Sequence, residues 1–263
     1  MSKIRFMKST VLEINPLLNE FIQTLIGVVD DFWEGHILTA SIYLICENDE
    51  SIGCFAIHNN EKITMFYIRP AYIRFAQDIF KKILLDFNVQ TAFVATCDLL
   101  FINLCMDFHK RIEMQAYFFN YGSTAIRSPE YPSELLKVAI PCDEADILDK
   151  EGVAENIALG KYYVMRENGV FLGQGFFNQL KLFPGAASIG MSVHPDYRQR
   201  GVGRSIIMHL ADICRGKGIT PNCGCWYYNH NSKATLESAG FVSKTRLLNV
   251  FFKDEDGGVA YDC

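Results

Sequence analysis

Between Ser192 and Ile206 the chain sets three arginines, Arg198, Arg200 and Arg204, around two glycines, Gly201 and Gly203. An apolar run leads up to Val193, Pro195 interrupts it, and an amphipathic run begins at Val202. A strand, a short polar loop, Gly-x-Gly and a helix in that order gather backbone N–H groups at a helix N-terminus. Those groups and the helix dipole attract an anion. Glycine has no Cβ, so a diphosphate can approach the backbone closely, and the arginines add donors and positive charge. A dinucleotide fold would carry G-x-G-x-x-G directly after its first strand, and a P-loop would carry G-x-x-x-x-G-K-[ST]. Neither pattern is present here. Gly-x-Gly alone fits many helix starts, but with the arginines around it the segment points to a phosphate-bearing ligand.

A second pattern follows downstream: Asn229-x-x-Ser232, then Leu236-Glu237-x-x-Gly240-Phe241. Together with Val193-x-Pro195-x-Tyr197-Arg198-x-x-Gly201-x-Gly203, it resembles the paired signatures of the GNAT superfamily of N-acyltransferases. The two patterns stand in the family's order and separation, and the resemblance covers about residues 160–252. It implies an α/β (α+β) fold with a mixed, centrally splayed sheet flanked by helices, and acetyl-CoA as co-substrate. It further implies that the pantetheine lies along the strand at Met191, Ser192 and Val193. The diphosphate would sit on Arg198, Gln199, Arg200, Gly201, Val202, Gly203 and Arg204. Asn229 and Ser232 would border the cofactor arm. The reaction so implied is transfer of an acetyl group to a primary amine of a small molecule or peptide, which attacks the thioester directly.

Two positions depart from the family pattern. Many members carry a Tyr as general acid where this chain has Leu236, and others carry a Glu on the strand before the loop, here residues 187–193, which has no carboxylate. Replacement candidates for proton transfer are Tyr227, Tyr228, Cys225, Glu167 and Gln174, with Tyr228 first because it adjoins Asn229. Aromatic residues on strands are more often packing. The departures keep open a second reading, a non-catalytic acyl-CoA-binding sensor or interaction module. A purely structural pseudo-enzyme is a third, against which the intact loop argues. His194 reads as a loop histidine.

The elements that must position these residues follow from periodicity. Strands are expected at 135–140, 162–167, 170–180, 187–193, 221–228 and 245–252. Asn168-Gly169 is a hairpin signal. A helix over 202–215 shows Val202, Ile206, Ile207, Leu210 and Ile213 on one stripe, stopped at Gly216 and Gly218. A shorter helix spans 232–239. The first half repeats the plan. Tyr43 and Glu47-Asn48 match Tyr163 and Glu167-Asn168, Gly53 matches Gly173, and Pro70-Ala-Tyr72 matches Pro195-Asp-Tyr197. This points to duplication: a degenerate half over 1–125 and a cofactor-binding half over 133–263, with a hinge at 121–133 rich in turn formers. Residues 1–40 read as a small helical lead-in, with Leu17, Phe21, Leu25 and Val28 at helical spacing. In the first half Ile73 stands for Arg198, Ala76 for Gly201 and Asp78 for Gly203. A carboxylate thus occupies the diphosphate position, and this half is expected not to bind CoA.

Composition is that of an ordinary globular protein, 49% hydrophobic and 21% charged. The net charge of −5 gives no general attraction for phosphate backbones, which argues against nucleic acid. Nine cysteines in apolar surroundings read as reduced thiols. Cys223-x-Cys225 lacks a second ligand pair, so no metal is expected. With no apolar run long enough for a bilayer and none near the N-terminus, the expected location is the cytoplasm.

Overall fold

The computed structural model describes residues 4–48, 50–122, 127–148 and 152–253. In chain order the strands and helices are β1 (Ile4–Ser9), α1 (Asn15–Thr24), α2 (Asp31–Leu38), β2 (Ser41–Glu47), β3 (Glu50–His58), β4 (Lys62–Ile68), α3 (Ala76–Asp86), β5 (Thr91–Ala95), α4 (Leu99–Phe108) and β6 (Arg111–Tyr121). There follow β7 (Leu136–Val138), α5 (Val153–Ala158), β8 (Tyr162–Glu167), β9 (Val170–Gln179), β10 (Ala186–Val193), α6 (Val202–Gly216), β11 (Thr220–Trp226), α7 (His230–Ser238) and β12 (Phe241–Phe251). None of the described helices is long and apolar enough to cross a membrane.

The chain forms two compact units. The first comprises residues up to 28, 32–116 and the segment from Thr245; the second comprises 29–31 and 117–244. Strands β6 and β12 therefore each change unit along their length, after Ala116 and after Lys244. In the first unit the strand order is β1-β2-β3-β4-β5-β12-β6, and in the second β12-β6-β11-β10-β9-β8-β7.

The hairpins rest on asparagine and glycine, which tolerate left-handed backbone. Asn59 and Asn60 turn β3 into β4 with φ of 51° and 61°, and Asn168 and Gly169 turn β8 into β9 with φ of 49° and 81°. Both units share one departure from a closed sheet. The parallel ladder of β10 with β11 runs through Ala186↔Thr220, Ala187↔Pro221 and Ser188↔Asn222, and β10 then continues to Val193 and β11 to Trp226. The parallel ladder of β4 with β5 likewise pairs Lys62↔Thr91 and Ile63↔Ala92, while β4 runs on to Ile68. Each pair of strands splays, as the mixed, splayed α/β architecture requires.

Helix α6 lies against β9 and β10. Its Val202, Ile206, Ile207, Leu210 and Ala211 are buried in one core with Leu172, Ile189, Tyr117 and Phe119. Gly175 on β9 permits the close seat, since a Cβ there would lie 2.7 Å from both Ile206 Cγ2 and Leu210 Cδ1. That seat fixes the height of the helix N-terminus above the end of β10.

The expected helical lead-in over 1–40 is corrected. Residues 4–9 form β1, paired antiparallel with β2, because Ile4 and Phe6 pack on the core of the first unit while Arg5 and Met7 face outward. Leu25 and Val28 lie between α1 and α2 rather than on a continuing helix. Tyr227 and Tyr228 fall beyond the end of β11, in the turn closed by Asn229 N–H donating to the Trp226 carbonyl at 2.9 Å.

Candidate functional site

The loop after β10 is built on two left-handed residues. Gln199 has φ of 60° and Gly201 φ of 82°. Left-handed backbone costs a non-glycine residue about 1–2 kcal/mol, so Gln199 is held there by its surroundings. Successive backbone N–H groups of such a tight loop can line an anion-binding concavity. The first hydrogen bond of α6 runs from Ser205 N–H to the Gly201 carbonyl at 3.0 Å. The N–H groups of Val202, Gly203 and Arg204 precede it and have no partner within the helix. Gly203 itself is wedged: a Cβ would lie 3.3 Å from Met191 Sδ and Val193 Cγ2 and 3.5 Å from Thr235 Cγ2.

Above this loop opens a cleft of about 920 Å³. Met191, Ser192, Val193, Arg198, Gln199, Arg200, Gly201, Val202, Gly203, Arg204, Asn229 and Ser232 all line it. The structure therefore brings together every residue that the sequence assigned to the cofactor side. Arg198 Nε donates to the Val193 carbonyl at 3.3 Å, tying the loop to the end of β10. Arg200 lies 5.5 Å over the Tyr197 ring. Asn229 is the N-cap of α7, its Oδ1 accepting from Ser232 N–H at 3.0 Å, so its place in the cleft wall is set by the helix it starts.

Among the lining residues not foreseen from sequence, with Leu148, Asn231, Ala234 and Thr235, are Arg127 and Glu130. The Ser205 hydroxyl holds their segment: it accepts from Glu130 N–H at 2.9 Å and Tyr131 N–H at 3.1 Å, and donates to the Gly201 carbonyl at 3.0 Å. His209 Nε2 meets the Tyr131 carbonyl at 2.7 Å. Held so, the Glu130 carboxylate forms an ion pair with Arg204 and covers Gly201, where a Cβ would overlap it. Arg204 is nearly buried, and its Nε is buried without a hydrogen-bond partner. Burial, and after it the Arg127 guanidinium, lowers the Arg204 pKa. The cleft lining carries four arginines, Arg127, Arg198, Arg200 and the buried Arg204, against the one carboxylate of Glu130, and a polyanion fits that imbalance. Of the proton-transfer candidates, Tyr228 is 56% exposed and packs edge-on against Trp226 and Tyr227, outside the cleft lining. Tyr227 stacks on Tyr117 at 4.8 Å. Gln174 is buried and its Oε1 accepts from Leu148 N–H at 2.6 Å. Leu236, where many relatives have Tyr, is buried in the core.

The equivalent loop of the first unit has neither feature. A 3-10 turn over Pro70–Phe75 runs straight into α3, with Phe75 and Ala76 both right-handed, and Asp78 occupies the first helical turn.

Residues 10–122 match the family model described as an acetyltransferase (GNAT) domain, and residues 126–241 match that of the acetyltransferase (GNAT) family. Among solved structures, the chain is similar to an acetyltransferase from the GNAT family of Colwellia psychrerythraea. The TM-score is 0.84 at 18% identity, over 95% of this chain and 100% of the other. It is also similar to a GCN5-related N-acetyltransferase from Sphaerobacter thermophilus (TM-score 0.62, 12% identity, 94% of each chain). A third likeness is a tandem GNAT protein from the clavulanic acid biosynthesis pathway (TM-score 0.58, 11% identity, 94% of this chain and 98% of the other). At these identities the likeness is one of fold. No curated protein matches the chain significantly.

Proposed function

We propose that this protein is an acetyl-CoA-dependent N-acetyltransferase, from the premise that the chain belongs to the GNAT acetyltransferases, with two such domains in tandem. The acceptor is a primary amine of a small molecule or peptide, and the second unit carries the reaction. The observation that carries this reading is the cradle at 199–204: left-handed Gln199 and Gly201, helix N–H groups without intrahelical partners, and buried Arg204, all facing one cleft. Acetyl-CoA, when bound, supplies an activated thioester. The arginines and the loop N–H groups would hold its diphosphate. Past Ser188 the edge of β10 is released from its ladder with β11, so backbone groups there are available to orient the acyl arm and to donate to a carbonyl oxygen. Tyr228, exposed beside Asn229 but outside the cleft lining, would have to turn toward the cleft to return a proton to the departing thiolate. The first unit, with Ile73, Ala76 and Asp78 in place of the cradle residues, would leave CoA unbound. The described cysteines are free thiols, in keeping with a reducing, cytoplasmic location.

The position of Leu236 in the core favours one other reading, a module that binds acyl-CoA without transferring the acyl group. Isothermal titration with acetyl-CoA tests the shared premise. Wild type should bind with one site per chain, and Gly203→Asp, which copies the first half at its equivalent position, should lose binding while keeping its circular dichroism spectrum. Because Gly203 is tightly packed, Arg200→Ala is the companion variant, expected to weaken binding several-fold. Two sites per chain, or unchanged affinity in both variants, would overturn the assignment. Release of free thiol with an amine panel then separates transfer from mere binding.

A further inference from the structure

Helix α7 runs along one wall of the cleft, and three of its positions give that wall an order. Its N-cap, Asn229, stands at one end. Further along, Thr235 meets the cradle, where a Cβ on Gly203 would lie 3.5 Å from Thr235 Cγ2. The last helical residue, Ser238, carries two contacts. Arg204 Nη1 donates to Ser238 Oγ at 3.4 Å, and Arg127 N–H donates to the Ser238 carbonyl at 3.3 Å. Three residues of helix, from Thr235 to Ser238, advance about 4.5 Å along the axis. Arg204 therefore has its backbone in the cradle and its guanidinium one turn of α7 beyond it, on the side of Arg127. Both arginines line the cleft.

That end of the cleft carries charge which the cradle does not explain. Arg204 is 9% exposed, and its Nε is buried without a hydrogen-bond partner. A buried donor left unmade is costly and calls for an explanation. Burial first, and the Arg127 charge after it, lower the Arg204 pKa, so the two guanidiniums stand close enough to repel. The Glu130 carboxylate pairs with Arg204, but one negative charge does not neutralise two cations. The C-terminal carbonyls of α7 attract cations with only about half a charge, and none of them accepts from Arg204 Nε. The group that answers both arginines is a dianion with several acceptor oxygens. A phosphomonoester has that character, with about −1.5 to −2 charges and three oxygens, and guanidinium groups bind it in forked geometry.

We propose that Arg127, with the guanidinium of Arg204, binds the 3′-phosphate on the ribose of CoA. This rests on the acetyl-CoA reading. The order along α7 then matches the order along the cofactor: pantetheine arm at Asn229, diphosphate at Gly203 and Thr235, phosphorylated ribose at Ser238. Arg204 serves both of the last two, because it spans from one to the other. Arg127 serves only the ribose phosphate. It touches no reacting atom, and its part is specificity. It selects CoA over nucleotides that share the adenosine diphosphate but lack the third phosphate.

The test is isothermal titration of the full chain with CoA and with 3′-dephospho-CoA, which differ by this phosphate alone. At low salt, wild type should bind CoA about tenfold or more tightly than dephospho-CoA. Arg127→Ala should lose most of that factor for CoA and leave dephospho-CoA binding unchanged, so that the two affinities converge. Arg127 is exposed, and the substitution should keep the circular dichroism spectrum. Arg127→Lys, which retains the charge without the fork, should recover part of the difference. Arg200→Ala, beside the diphosphate, should weaken both ligands alike and preserve their ratio. Equal affinities in wild type, or equal weakening of both ligands by Arg127→Ala, would overturn the subsite and leave the cofactor reading standing. Binding of neither ligand by wild type would overturn the cofactor reading itself, and the subsite with it.

Discussion

Glu130 is the residue on which the cradle's balance turns. Its carboxylate pairs with Arg204 and covers Gly201, in the cleft where an incoming diphosphate would compete for the same cation. The pair is about 40% exposed on the Glu130 side, so solvent screens it and its net contribution is modest. Removing the charge should have two effects of opposite sign. Glu130→Gln should lower the melting temperature of the free protein slightly, since Arg204 loses its counter-charge. It should also tighten acetyl-CoA binding, several-fold to about tenfold at low salt, the gain shrinking as salt is added. Titration at two salt concentrations checks this, and weaker binding in the variant would show that Glu130 supports the cradle rather than competing for it. Sequence could not single Glu130 out. The arginines and glycines of the loop sit together in the chain and carry a recognisable spacing, whereas Glu130 arrives from a segment whose prolines and serines read only as a hinge. What fastens it is Ser205, an unremarkable position inside an amphipathic helix.

At the scale of elements, periodicity located most strands and the helix that bears the cradle, because burial on one face repeats at fixed spacing. It missed β1, where a short edge strand shows too few alternations to outweigh the helical spacing behind it, and it could not see where ladders stop. Splay is a property of two strands together: the residues of β10 alternate as they would in a closed sheet. Helix starts are more legible, since caps have preferred residue types. Asp98 caps α4, accepting from Phe101 N–H at 3.1 Å. Burial raises its carboxyl from 3.8 to about 7, against the lowering effect of that hydrogen bond. A folded-state pKa above the unfolded one means that the folded state binds the extra proton. The group's contribution is therefore fully present below about pH 4 and is lost as pH rises through about 7. Asparagine caps as well as aspartate and does not titrate. Asp98→Asn should thus be more stable than wild type at pH 8.5, by on the order of 1 kcal/mol or more, and close to it at pH 4. Urea unfolding at the two pH values decides, and a variant no more stable than wild type at pH 8.5 would mean that the carboxylate is better accommodated than its burial suggests.

At the scale of the whole molecule, the two units do not coincide with continuous halves of the chain. The second unit takes its core partly from residues 117–121 of β6: Phe119 is fully buried, Tyr117 is nearly so, and Tyr117 stacks on Tyr227. The first takes in Leu248, Val250 and Phe252 from the other end of the chain, with Leu247 to Phe251 paired antiparallel to β5. A duplication read from sequence invites a cut between the repeats, since motif spacing says nothing about which unit a terminal strand completes. A fragment 133–263 keeps the whole cradle and both signatures, yet it lacks Tyr117 and Phe119, and burial of each such aromatic is worth about 1.5–3 kcal/mol. Against a typical domain stability of about 5–15 kcal/mol, losing both together with a strand leaves little margin. The fragment 133–263 should therefore melt without a cooperative transition and bind no acetyl-CoA, although it contains every residue assigned to the cofactor. Extending it to begin at residue 110 restores β6 and should recover more of the transition than any extension that stops short of Tyr117. A fragment 133–263 that melts cooperatively and binds acetyl-CoA like the full chain would show that the second repeat folds on its own core, and that β6 is a passenger in it.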